Sequence, residues 1–295
     1  MAPKEAAAAA RLSQRTRRQR AVEPNHTPQA PPFVPPGEVP VPTPIFSEPL
    51  CVLEMLALRL SPTYHGSGIP RGDGSAVVII PGLLGMDLNL FELHAWLRRI
   101  GYRPYYSGIG IAADCPNHLS MRLDGTIDRA YAETGRRVHL IGHSLGGIFA
   151  RSAAVRRPKR IASVITLGSP YRGLIVHSLI VALSSAVRGW IRTVRPGSPR
   201  ECGSSRCDCN FGQSLGRRWP RSVRETAVYT KCDGVVDWRY CLSGRPDTDV
   251  EVTGTHLGLP FNAAVFRHIA VCLAVKEDAR PGRMPVPISH PRRTM

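Results

Sequence analysis

The sequence predicts an α/β fold: a mostly parallel central sheet with helices on both faces and a helical flap. Three observations predict it. Short apolar runs at 76–80, 137–141 and 161–167 have the unbroken hydrophobicity of strands buried on both faces. Stretches of helical period lie between them, the alternation that builds a parallel sheet covered by helices. The pentapeptide Gly142-His143-Ser144-Leu145-Gly146 falls where one such strand ends and a helix begins.

Taken in order, residues 1–46 hold an alanine run, an arginine cluster and nine prolines after position 20. Proline at that density removes backbone donors and sustains neither helix nor sheet, so a disordered tail is expected. A folded domain is expected over 47–278, with a lid-like insertion at about 172–222 and a second disordered tail at 279–295. Ser47-Glu48-Pro49 resembles a helix start, a cap residue with proline in the first turn. After the strand at 76–80, helix is expected at 90–100, a strand at 102–107 and helix at 122–134, ended by Gly135. Past the second apolar strand, helix runs from Leu145 to the stop at Pro158. Strands at 161–167, 226–230 and 249–252 and a closing helix at 260–275 complete the pattern. Residues 174–187 are apolar nearly all round, as a buried helix or a mobile flap would be; no apolar run reaches the ~18 residues of a membrane span.

The formal charge of +17 comes from 39 basic residues, 35 of them arginine, against 22 acidic ones. Such charge can mark a nucleic-acid or anionic-membrane partner. Here it is spread out, in patches around 151–160 and 188–224, and no basic-aromatic interleaving offers a base-stacking platform. No nucleic-acid partner is expected; peripheral contact with an anionic membrane stays open, as does the quaternary state. Basic residues at 17, 18 and 20 are followed by Glu23 and Pro24 rather than an apolar core, so no secretory signal is read there and a cytoplasmic location is expected. Of the eight cysteines, Cys202, Cys207, Cys209, Cys232 and Cys241 could form a bridge from the 202–209 loop to the 232–241 segment, or a zinc site of poor spacing. Cys51, Cys115 and Cys272 are expected to pack as small apolar residues.

The strand–turn–helix setting of Ser144 is what a serine nucleophile requires: a tight turn with glycines on either side. It also aims the N–H groups of a helix start at a developing oxyanion. A serine needs a base and an orienting acid, which here should follow in the order acid, then histidine. Of the downstream histidines, His177 lies in the apolar segment, His268 inside the closing helix and His290 in the tail. His256, in the loop Gly254-Thr-His-Leu-Gly258 after the last strand, is the expected base. Asp233, directly after a strand and before a turn glycine, is favoured as acid over Asp237. The oxyanion donors expected are the backbone amides of Leu145 and of Leu83, in Pro81-Gly-Leu-Leu-Gly85. Leu84, His143, Leu179 and Leu183 are expected to contact substrate. No metal or organic cofactor is needed.

Together, Pro81-Gly-Leu-Leu-Gly85, Gly142-His-Ser-Leu-Gly-Gly147, Thr166-Leu-Gly-Ser-Pro-Tyr-Arg-Gly173, Cys232-Asp-Gly-Val-Val236 and Gly254-Thr-His-Leu-Gly-Leu-Pro-Phe-Asn262 resemble the bacterial lipase/esterase branch of the α/β-hydrolase superfamily. The resemblance covers roughly residues 50–275. It implies an eight-stranded type of sheet, ester hydrolysis through an acyl-enzyme, a flap after the strand bearing Leu167, and the same three residues as triad. The expectation is a serine carboxylester hydrolase acting on a small lipophilic ester or lipid. Acyl transfer on the same triad, a non-catalytic α/β-hydrolase scaffold and a basic membrane adaptor are the alternatives.

Overall fold

The computed structural model describes residues 45–170 and 209–275, with four isolated positions between them (186, 187, 189 and 193). They belong to one compact unit of the chain, 33–295. The tail expected at 1–46 apart from Ile45 and Phe46, which open a 3-10 turn instead, the tail expected at 279–295, and the flap up to Ser185 with Leu179 and Leu183 lie outside the described residues.

A 3-10 turn, Ile45–Leu50, leads into α1, Cys51–Leu60. The strands are β1 Ala76–Ile80, β2 Arg103–Tyr106, β3 Val138–His143, β4 Ile161–Leu167, β5 Arg224–Tyr229 and β6 Asp249–Glu251. Between and after them run α2 Phe91–Arg99, α3 Pro116–Thr134, α4 Leu145–Arg156, α5 Asn210–Leu215 and α6 Ala263–Ala274. Every strand pair is parallel, in the order β2-β1-β3-β4-β5-β6. The described residues thus give a six-stranded parallel sheet where the resemblance implied an eight-stranded type. The order reverses between β1 and β3, and in such sheets ligands bind beyond the strand ends at that reversal.

The apolar runs become strands because both faces are covered. Alternate side chains of β1 enter different cores, as the two-residue period of a strand requires. Val77 and Ile79 pack with Trp96 of α2 and Phe266 of α6. Ala76, Val78 and Ile80 pack with Leu123 and Ile127 of α3 and Phe149 of α4. Trp96 is fully buried, packs against Phe266 with the ring centroids 4.5 Å apart and the planes tilted by 43°, and donates its indole N–H to the Thr63 carbonyl at 2.9 Å.

Several boundaries differ from expectation. Helix α3 starts at Pro116, six residues before the expected 122, because Pro116 is tolerated in a first turn and Leu119 adds buried surface. The closing helix is split: a 3-10 turn at Leu259–Phe261, then α6, whose cap Asn262 accepts N–H groups from Ala264 and Val265. Ser47 does not cap a helix; its neighbour Glu48 is drawn inward instead. Of the insertion expected to end at 222, α5 packs on α4: Phe211 meets Phe149, and Ser214 bonds Ser152 at 2.7 Å. The cysteines need two corrections. Cys115 is disulfide-bonded rather than merely packed. Cys209, Cys232 and Cys241 are free thiols, so the bridge expected between the 202–209 loop and the 232–241 segment, which needs Cys232 or Cys241, is not formed. The arginine patch at 151–160 is largely spent on ion pairs, Arg156 with Asp124, Arg157 with Asp128 at 2.5 Å, and Arg151 with Glu225.

Strand β3 carries two buried histidines, His139 and His143, and both are held neutral. Burial pulls His139 down to about 4, helped by Arg224, and burial with the neighbouring His256 pulls His143 down to about 3. An unfolded histidine gains its proton near pH 6.5. These two therefore contribute stability that is present above that pH and is lost as pH falls from 6.5 towards 4. With each unmatched proton worth about 1.4 kcal/mol per pH unit, unfolding free energy should fall by about 2–3 kcal/mol per unit between pH 5.5 and 4.5. Urea unfolding across this range checks the slope, and His139→Gln should remove roughly half of the histidine contribution. In the other core, Trp96→Ala should cost about 3–5 kcal/mol in the same assay at pH 7.

Candidate active site

Ser144 links β3 to α4 with φ 51° and ψ −122°, a left-handed conformation that a side chain rarely adopts. The strain is held by neighbours. The Ser144 N–H donates to the Leu167 carbonyl at 2.8 Å, and its carbonyl accepts from the Gly147 N–H at 3.0 Å. A Cβ on Gly142 would overlap the Gly146 backbone, and one on Gly146 would overlap the Ile80 carbonyl oxygen. The turn therefore closes only because both positions are glycine.

The loop after β1 lies against this turn. A Cβ on Gly82 would stand 3.0 Å from the Ser144 Cβ. Leu84 has φ 61° and donates its N–H to the Ala112 carbonyl at 3.3 Å, while Gly85 donates to Gly82 at 2.9 Å. Among the described residues the Leu83 N–H meets no backbone acceptor. Leu145 opens α4, where the first N–H groups have no intrahelical acceptor. Both expected oxyanion donors thus sit beside Ser144 at the reversal of the sheet.

Asp233 and His256, the expected acid and base, come from the loops after β5 and β6. Asp233 and His256 are almost fully buried, and the His256 Nδ1–H donates to Asp233 Oδ2 at 2.6 Å. The other oxygen, Oδ1, accepts the N–H groups of Val235 at 2.9 Å and Val236 at 2.7 Å. Three donors on one carboxylate fix its plane. Gly168, φ 56°, leaves the room for the imidazole: a Cβ there would lie 3.1 Å from His256 Nδ1. Because Gly168 follows Leu167, whose carbonyl binds Ser144, the ring and the serine are brought to the same strand end.

Asp237, the rejected alternative, is also buried, but it caps the 3-10 turn Trp238–Cys241 through the Arg239 N–H at 3.0 Å and faces the Arg239 guanidinium at 3.3 Å. His143 is not an open pocket wall. It is buried, and its Nε2–H donates to the His256 carbonyl at 3.0 Å, which fixes the tautomer because a carbonyl only accepts. The rings of His143 and His256 lie 4.9 Å apart. Leu83 and Leu84 are half-buried.

Two site residues escaped the sequence reading. Glu48 accepts N–H groups from Gly234, His256 and Leu257, and Glu54 accepts from Thr255. Their only sequence signal is two carboxylates set six residues apart in an otherwise apolar stretch, 45–58. No group of three or more metal-ligating side chains occurs among the described residues.

A family model described as palmitoyl protein thioesterase matches residues 77–231. The triacylglycerol lipase of Burkholderia plantarii is 30% identical over 134 residues, covering 42% of this chain and 37% of the lipase. That of Pseudarthrobacter phenanthrenivorans is 33% identical over 106 residues, covering 33% of each. The chain therefore spans about a third of the length of the curated relatives it matches. Similar solved structures include a metagenomic carboxyl esterase, with TM-score 0.48, 14% identity and coverage of 69% of this chain and 76% of that one. A Bacillus licheniformis lipase in mature form has TM-score 0.47 and 17% identity, covering 70% of this chain and 95% of that one. The match to the family model runs from β1 through β5, more than half of the chain, and includes the Ser144 turn. On that ground the chain belongs to the palmitoyl protein thioesterase family, on the lipase/esterase side of the α/β-hydrolase superfamily.

Proposed function

We propose that the protein is a serine hydrolase that cleaves lipophilic acyl esters through an acyl-enzyme. The observation that carries this reading is the strained Ser144 turn, set at the same sheet edge as a buried acid–base pair of 2.6 Å. Ser144 Oγ attacks the acyl carbonyl, and His256 Nε2 takes its proton and returns it to the leaving group. Asp233 keeps the proton of the imidazole on Nδ1 and stabilises the cation that forms. The Leu83 and Leu145 amides receive the oxyanion; one such donor is worth about 3–4 kcal/mol in the transition state. Water then repeats the sequence on the acyl-enzyme. The curated relatives are named triacylglycerol lipases, which supports an oxygen ester.

A thioester is the second reading, favoured by the name of the matching family. The chemistry is the same, and only the leaving group differs. Transfer of the acyl group to a bound alcohol would likewise use the same residues. No described helix is long and apolar enough to cross a membrane. Bilayer contact, if made, is better served by the exposed Phe46, Leu53 and Leu60 than by the internally paired arginines at 151–160. The Cys115 disulfide favours an oxidising compartment over the cytoplasmic one expected from sequence.

Ser144→Ala should abolish turnover of p-nitrophenyl esters and covalent labelling by a fluorophosphonate; a fully labelled mutant would remove Ser144 from the mechanism. Asp233→Asn should lower kcat by about 10⁴-fold, as a wrong histidine tautomer does. Asp237→Asn should leave kcat within a few-fold of wild type, and the reverse order would exchange the two roles. Acyl preference is read from a chain-length series. Leu179→Ser combined with Leu183→Ser should cost long-chain esters about 10-fold or more in kcat/KM while acetate esters change little. Equal loss on short and long esters would take the acyl wall away from that segment. Comparison of an acyl-CoA with the matching p-nitrophenyl ester separates thioester from ester preference.

A further inference from the structure

The loop that carries His256 exposes four consecutive backbone N–H groups to the protein interior. Buried N–H groups need acceptors, and here none of the four is served by the sheet. The Thr255 N–H donates to Glu54 Oε1 at 2.8 Å. The His256 and Leu257 N–H groups donate to Glu48 Oε1 and Oε2 at 3.1 and 2.7 Å. The Gly258 N–H donates to Thr255 Oγ1 at 3.0 Å, and that hydroxyl in turn donates to Glu54 Oε2 at 2.9 Å. Glu48 does more than complete this loop. Its Oε1 also accepts the Gly234 N–H at 2.8 Å, on the residue directly after Asp233. One buried carboxylate, from a turn about two hundred residues away in sequence, therefore joins the acid loop to the base loop.

We infer that Glu48 is a positioning residue for the triad: its carboxylate sets the spacing of the Asp233 and His256 loops, with Glu54 fixing the N-terminal side of the base loop. The inference rests on the hydrolase reading above. The Asp233–His256 contact joins two loops of different strands, so its length depends on how those loops are held to each other. Apart from that contact, Glu48 and the Thr230 hydroxyl on the Gly254 carbonyl, at 2.7 Å, span the two loops. Glu48 alone among these holds the backbone of the base itself. The fit is tight: a Cβ on Gly258 would overlap the Glu54 carboxylate.

Glu48→Gln tests this on the full-length protein. The amide keeps one acceptor but sets an NH₂ against an N–H donor, so one loop must move. A displacement of about 1 Å near a reacting pair can cost about 100-fold, so kcat on p-nitrophenyl butyrate should fall about 10- to 100-fold with KM within two-fold. The downfield proton signal of the His256 Nδ1–H should broaden or vanish. Leu58→Ala is the control: it loosens α1, in which Leu58 is fully buried, without touching the four amides. It should lower Tm while kcat and the downfield signal stay as in wild type. Should Glu48→Gln not fold, Glu54→Gln, which releases only the Thr255 end, takes its place with the same expected split. A Glu48→Gln enzyme with wild-type kcat and an intact downfield signal overturns the inference. So does a fall in kcat that Leu58→Ala reproduces at equal loss of Tm. Wild-type protein that neither turns over ester nor reacts with a fluorophosphonate overturns the hydrolase reading instead, which keeps the two failures apart.

Discussion

The site depends first on backbone touching backbone where β1, β3 and α4 meet. Gly142 and Gly146 have no room for a side chain: one faces the next turn of the chain, the other the carbonyl end of β1. That approach forces Ser144 out of the ordinary allowed regions. A strained residue persists only where its surroundings over-determine it, and here the Leu167 carbonyl and the first turn of α4 do so. The β1 loop is carried to the same point by the register of β1 with β3, in which Ile80 pairs with Gly142. Ser144 and the Leu83 and Leu145 amides, the proposed nucleophile and oxyanion donors, are thus products of one packing constraint.

Asp233 and His256, the proposed acid and base, obey a different one. They sit on loops after β5 and β6, at the edge where the sheet ends, and loops at an edge have few strand neighbours to hold them. The molecule compensates with two carboxylates from its N-terminal segment, the buried Glu48 and the half-buried Glu54. This turns α1 partly inside out. Glu48 and Glu54 face the loops, while Val52, Leu53 and Leu56 are exposed. The cost of burying the carboxylates is offset by charge-assisted hydrogen bonds to amides that would otherwise lack acceptors. His143 adds a third tie, from the strand that carries the nucleophile to the carbonyl of the base.

Much of this was legible in the residues. The runs at 76–80 and 161–167 became strands because unbroken apolar sequence has few other uses in a parallel sheet. Ser144, Asp233 and His256 could be singled out because each is punctuated by glycines and follows a strand, which is local information. The less legible boundaries were those where tertiary burial decides. Helix α3 began two turns early, and the closing helix broke at Leu259–Phe261, where the chain must turn from the base loop. The environment of His143 also escaped the pattern, since its partner is a backbone atom 113 residues away.

The sequence by itself determined the fold class and the strand–turn–helix around Ser144, and it pointed to Asp233, the aspartate that bonds His256, ahead of Asp237. All three follow from periodicity and turn chemistry within about ten residues of chain. Only the tertiary structure decided that Ser47 would lie inside a 3-10 turn, that Glu48 would be buried and Glu54 turned to the base loop, and that Cys115 would be disulfide-bonded. The physical reason is the same in each case. A carboxylate in an apolar stretch looks like a solvated charge until the fold presents it with unpaired N–H groups from another part of the chain. No local pattern records where those groups will be.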